Sequence, residues 1–231
     1  MSKTKQPKSL KKKEKLTGFD IMYKVVTIVL ALAMFPLCYF TNMVYVQMDH
    51  TQIADLWGSI TQNDKPELGV TYEEISLAKL PEYTKLLSSL GSTDGSANIW
   101  SYEHFRPAII AGGFLVLALV LGLVVIGFAA FSRNIKAIMG VSAAGFVSTL
   151  ISLGIFNEAF AKPIIDGNVS LNELLKIDNF LGSLALQYIG KITAISPREA
   201  FFSVMFIMLG ICLWSLCVLI VNASDEAEKR K

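Results

Sequence analysis

The chain has 231 residues, 53% of them hydrophobic and only 17% charged, more apolar and less charged than a soluble domain of this length. The net charge of +2 conceals a strong segregation of sign along the chain. All three cysteines (Cys38, Cys212 and Cys217) fall within apolar runs, so the polar segments have none with which to build a disulfide framework. An apolar chain without such a framework fits a bacterial cell membrane better than an animal cell surface.

Residues 1–20 form a basic tail, in which Lys3, Lys5, Lys8, Lys11, Lys12, Lys13 and Lys15 are opposed by Glu14 and Asp20. By the positive-inside rule the tail is cytoplasmic. Lys11, Lys12, Lys13 and Lys15 would contact anionic lipid headgroups, each contributing ~1 kcal/mol near the surface. No aromatic residue interleaves the lysines, which argues against nucleic acid as a partner.

The first span is expected over residues 21–47, with Lys24 snorkelling to the inner interface and Pro36 kinking the helix. Ala31-Leu32-Ala33 mimics a signal-peptide cleavage site, but the apolar run continues through MFPLCYF and MVYV, so an uncleaved span is expected. No Pro or Gly separates this span from the amphipathic stretch that begins at Ile53, which leaves open a helix continuing to about Ser59.

Residues 48–106 form the first external loop. Residues 47–106 hold nine Asp or Glu against four Lys or Arg, the reverse of the tail. Ile53, Leu56, Trp57 and Ile60 follow helical spacing. Thr71-Tyr72-Glu73-Glu74 has the form of a capping box opening a second helix, and Pro81 suits the first turn of a third. Trp100, Tyr102 and Phe105 form an aromatic belt before the next span.

Residues 107–131 contain no charge, amide or hydroxyl, and residues 137–157 make a second apolar run. Each is long enough as a helix to cross ~30 Å of hydrocarbon. The five residues between them, 132–136, allow only a tight turn, so the two runs form an antiparallel hairpin. The second external loop, residues 158–198, has a capping box at Ser170-Leu171-Asn172-Glu173. Leu174 and Leu181 lie on the apolar face of the helix that follows. Asn168-Val169-Ser170 is a glycosylation sequon, relevant only in a eukaryotic source. Ser196-Pro197-Arg198-Glu199 is read as capping the last span, 199–222, with Ser196 as N-cap and Pro197 in the first helical position, before a short tail, 223–231.

The reading is an all-α membrane protein: four transmembrane helices, two mainly helical external loops and both termini cytoplasmic. Four spans with a long first external loop resemble claudin-type proteins in outline. The likeness is one of topology: Leu56-Trp57-Gly58 is not followed by paired cysteines, and the loop's periodicity is helical rather than alternating.

Gly140, Ala144, Ser148 and Ser152 recur at strict four-residue spacing in the third span. Small residues let helix backbones approach, within one bundle or between proteins. Two acid–histidine pairs, Asp49-His50 and Glu103-His104, flank the first loop. If they met they would offer a divalent-metal or pH-responsive site, against the plainer reading of two unrelated interfacial pairs. No ionisable residue lies deep in a span, and the span cysteines and serines have no activating base, so neither an ion-coupled transporter nor an enzyme is expected. No cofactor is expected either. The functional expectation is an accessory or assembly subunit, or a scaffold, that binds a membrane-protein partner or a second copy. The alternative is a small channel component lining an oligomeric pore with hydroxyls.

Overall fold

The structure, a computed structural model, describes residues 18–51, 70–79, 81–82, 105–132, 134–166 and 193–228. Four helices are long and apolar enough to cross a membrane: α1 (Gly18–Phe40), α2 (Arg106–Phe131), α3 (Ile135–Ile155, extended to Ile165) and α4 (Glu199–Glu228). The protein is membrane-embedded and mostly helical, and it also carries a small three-stranded sheet. α1 packs on α2 and α4, and α3 packs on the same two helices, so the four form a ring in chain order.

Each helix turns one stripe of seven-residue periodicity inward. In α2 the buried residues are Ala111, Leu115, Ala118, Gly122, Val125 and Ala129, alternating steps of four and three. α4 repeats the pattern with Phe201, Val204, Met208, Ile211, Ser215 and Val218. A 3.5-residue repeat keeps one seam facing its neighbours, as in left-handed bundles. Large and small residues alternate across these seams. A Cβ on Gly122 would run into Met34 Cε, and one on Gly145 would lie 2.9 Å from Met208 Sδ. The glycines of α2 and α3 thus make room for the methionines of α1 and α4.

α3 continues beyond Ile155 through a π-helical turn, Phe156–Ala161, and a last α-turn, Lys162–Ile165. Pro163 cannot donate to the carbonyl four residues before it, and a widened turn just ahead of a proline accommodates that defect. The helical run therefore reaches eight residues past the expected end of the span at 157, where the second loop is expected to begin.

The sheet departs from the all-α expectation. Its strands are β1 (Asn42–Asp49), β2 (Val70–Ser76) and β3 (Thr193–Pro197), in the order β2-β1-β3 with both pairings antiparallel. A short 3₁₀ turn, Leu77–Lys79, follows β2. Three expectations are corrected here. α1 ends at Phe40, where Thr41 donates from both its amide and its hydroxyl to Leu37 O, and the helix does not continue toward Ser59. Thr71-Tyr72-Glu73-Glu74 opens no helix; it lies inside β2, where Tyr45 faces Glu74 and Gln47 faces Tyr72. A β-branched and aromatic segment gains more from cross-strand pairing than from a local cap. Ser196 and Pro197 end β3, and α4 begins at Glu199. Pro197 occupies the strand's final position, where its missing N–H costs least, and Arg198 N instead donates to Met43 O at 2.8 Å.

The helical periodicity expected of the first loop is corrected in part as well. Residues 42–49 and 70–76 are extended, while the lack of paired cysteines stands. Because α1 and α4 are antiparallel neighbours, the strands that continue them, β1 and β3, meet as an antiparallel pair. Val44 and Ile195 from this pair, with Met43 and Leu77, pack on the outer core cluster around Met34, Phe156 and Phe201.

Candidate functional site

Several polar side chains inside the bundle are engaged with one another or with backbone. Ser148 Oγ donates to Phe114 O at 2.7 Å, and Ser152 Oγ donates to Ala111 O at 2.5 Å, binding α3 to α2. Thr149 Oγ1 donates to Gly145 O at 2.9 Å within α3. Across the α1–α4 seam, Tyr23 Oη and Ser215 Oγ are 2.8 Å apart. Ser215 spends its one hydroxyl proton on Ile211 O, so Tyr23 is the donor. Hydrogen bonds between spans contribute roughly 0.6 kcal/mol each, with a few reaching about 1.7. Thr27 Oγ1, Trp214 Nε1 and Arg198 Nε are buried without a partner.

The four small residues at strict four-residue spacing are divided between two faces. Ser148 and Ser152 are buried against α2, whereas Gly140 and Ala144 are exposed. A Cβ on Gly140 would meet nothing within 4 Å. The cause is geometric. Four residues turn a helix by about 400°, so a strict four-residue row drifts some 40° per step and winds off the seam. The buried row is Ile138, Ser142, Gly145, Thr149 and Ser152, at alternating steps of four and three.

Where α1 ends and α4 begins, the sheet carries an aromatic stack that the sequence alone did not announce. Tyr45 on β1 stacks on Tyr72 of β2 with ring centroids 5.4 Å apart. Arg198 Cζ lies 4.1 Å from the Tyr45 ring centre. The three residues link all three elements that emerge here, and a guanidinium over a ring adds roughly 0.5–1 kcal/mol at such a site. No local motif announces this contact, since Arg198 is more than 150 positions from Tyr45.

Of the acid–histidine pairs, Asp49 and His50 are described. His50 Nε2 lies 2.8 Å from Thr71 Oγ1 on β2. Asp49 Oδ1 accepts from Thr51 Oγ1 at 2.6 Å and from Thr51 N at 3.0 Å. The hydroxyl bond first, and the amide bond second, hold the Asp49 carboxyl below the usual range. Glu103 and His104 lie outside the described residues, as do Lys11, Lys12, Lys13 and Lys15. So do the expected apolar faces at Ile53, Leu56, Trp57, Ile60, Leu174 and Leu181. Among the described residues no three His, Cys, Asp or Glu gather as metal ligands.

An open apolar groove of about 400 Å³ lies between the C-terminal half of α1, Leu119 of α2 and Leu77 of the 3₁₀ turn. No protein-family model matches the chain, and a search of curated proteins finds no relative.

Proposed function

We propose that the chain is a non-enzymatic accessory or assembly subunit, or a scaffold, of the plasma membrane that binds a membrane-protein partner or a second copy. We further propose that both termini are cytoplasmic and that the source is bacterial. The observation that carries the reading is the division of the small-residue row. Ser148 and Ser152 are used within the bundle, whereas Gly140 and Ala144 give the exposed side of α3 a surface onto which another span's backbone can close. The engagement of the α3 hydroxyls with backbone carbonyls supports a static bundle over a pore lined by those groups.

Purification in mild detergent, with the stoichiometry measured for wild type and Ala144→Leu, tests the proposal. A second protein species or a defined dimer should accompany the wild type. Ala144→Leu should release it while leaving the thermal stability of the single chain unchanged. A monomer unaffected by Ala144→Leu would overturn the reading. A larger homo-oligomer with a conducting axis would replace it with the pore alternative.

A further inference from the structure

α1 stops well short of its neighbour on the outer side. Met34 of α1 lies level with Gly122 of α2, because a Cβ on that glycine would touch the methionine methyl. From this level α1 rises six residues to Phe40, roughly 9 Å, while α2 rises sixteen residues to Arg106, roughly 24 Å. The difference leaves a ledge about 15 Å deep on top of α1, with α2 as its back wall. Counting about 30 Å of hydrocarbon upward from the α2–α3 turn places the outer headgroup level near Ala111, so the floor of the ledge, roughly 7 Å below that level, lies inside the outer leaflet.

The apolar groove runs beside the last turns of α1, just below this ledge. Phe35, Pro36, Tyr39 and Phe40 line it from α1, Leu119 from α2, and Leu77 from the 3₁₀ turn. Its volume of about 400 Å³ falls within the range of small-molecule sites. Lys79, two residues beyond Leu77 in the same turn, is exposed, and among the described residues it makes no ion pair. Glu74, on the strand leading into this turn, is held by Asn42 Nδ2 at 2.7 Å.

We propose that the groove is a binding site for one anionic phospholipid of the outer leaflet, with an acyl chain against Leu119 and the headgroup phosphate on Lys79. The apolar lining recognises the chain and the depth matches the leaflet. Lys79, two residues along the chain from the lining residue Leu77, supplies the charge complementary to phosphate, since such side chains reach out of apolar surroundings.

The test uses the full-length protein, delipidated in mild detergent and then given equal amounts of phosphatidylglycerol and phosphatidylcholine with identical acyl chains. Native mass spectrometry should show a one-lipid adduct dominated by phosphatidylglycerol. Leu119→Trp fills the groove and should abolish the adduct. Leu117→Trp, on the 45%-exposed lipid face two residues away, should not. Lys79→Gln should keep a one-lipid adduct while reducing the phosphatidylglycerol preference by about five-fold, the weight of one lysine at a headgroup. Thermal melting of each variant separates loss of the site from loss of the fold. If wild type shows no headgroup preference, if a well-folded Leu119→Trp retains the adduct, or if a protein segment holds the groove against lipid, the proposal is overturned.

Discussion

Gly145 and Gly140 stand five residues apart on α3 and meet opposite surroundings. A methyl group on Gly145 would fall 2.8 Å from Met208 Cε and 2.9 Å from its Sδ, whereas one on Gly140 meets open space. Glycine in a helix is less favourable than alanine by roughly 0.5–1 kcal/mol. Gly140→Ala should therefore raise the melting temperature in detergent. Gly145→Ala should lower it, because overpacking costs about 1–3 kcal/mol and exceeds that gain. A rise for both would mean that Met208 swings aside freely. Asp49 gives a residue-scale pH effect. Its carboxyl is held below the ordinary range when folded, so its ionised form stabilises the fold above that range. The contribution is lost as pH falls through the lowered folded value. In a carboxyl NMR titration, Thr51→Ala should move the Asp49 midpoint upward; an unmoved midpoint would remove Thr51 as the cause. At this scale the sequence was legible in part. The small residues of α3 stand out, but a strict four-residue row is not a helix seam, and the true seam mixes Ile138 with Gly145 and Thr149.

The four spans could be read from local composition, because a bilayer imposes length and apolarity on each helix by itself. The strands could not. Val44, Val46 and Met48 alternate with Tyr45, Gln47 and Asp49 in period two, yet this stretch follows α1 so directly that it reads as more of the same apolar run. Its pairing partners, 193–197, are distant in sequence and hold only five residues. A sheet whose pairings are non-local leaves little trace in any single window. The register is open to a direct test in a cysteine-free background. Gln47 faces Ala194, so Gln47→Cys with Ala194→Cys should form a disulfide on mild oxidation. Gln47→Cys with Ile195→Cys should not, because successive residues point to opposite faces. Equal cross-linking in both pairs would contradict the strand, as would none in either.

At the scale of the whole molecule, the sheet requires the segments after α1 and before α4 to emerge on the same side of the membrane, as four spans also demand. The lysine distribution predicts which side. Cysteines introduced at Asn63 and Asn168 should react with a membrane-impermeant reagent in intact cells, and a cysteine introduced at Ser2 should not. Protection at 63 or 168 would overturn the orientation. The long apolar runs made the four spans legible from sequence. The ledge above α1 was not legible, because it depends on where one helix stops relative to another.

The pairing of β1 with β3 also sets a timetable. β1 lies next to the first span, and β3 directly precedes the last, about 150 residues later in synthesis. Until the ribosome has delivered residues 193–197, one edge of β1 has no native neighbour, and closing so long a loop is slow. The first span must therefore wait in the bilayer beside an unfinished strand. A chain halted after α3 would carry that open edge permanently, a ready mark by which a membrane protease or chaperone could tell unfinished copies from complete ones.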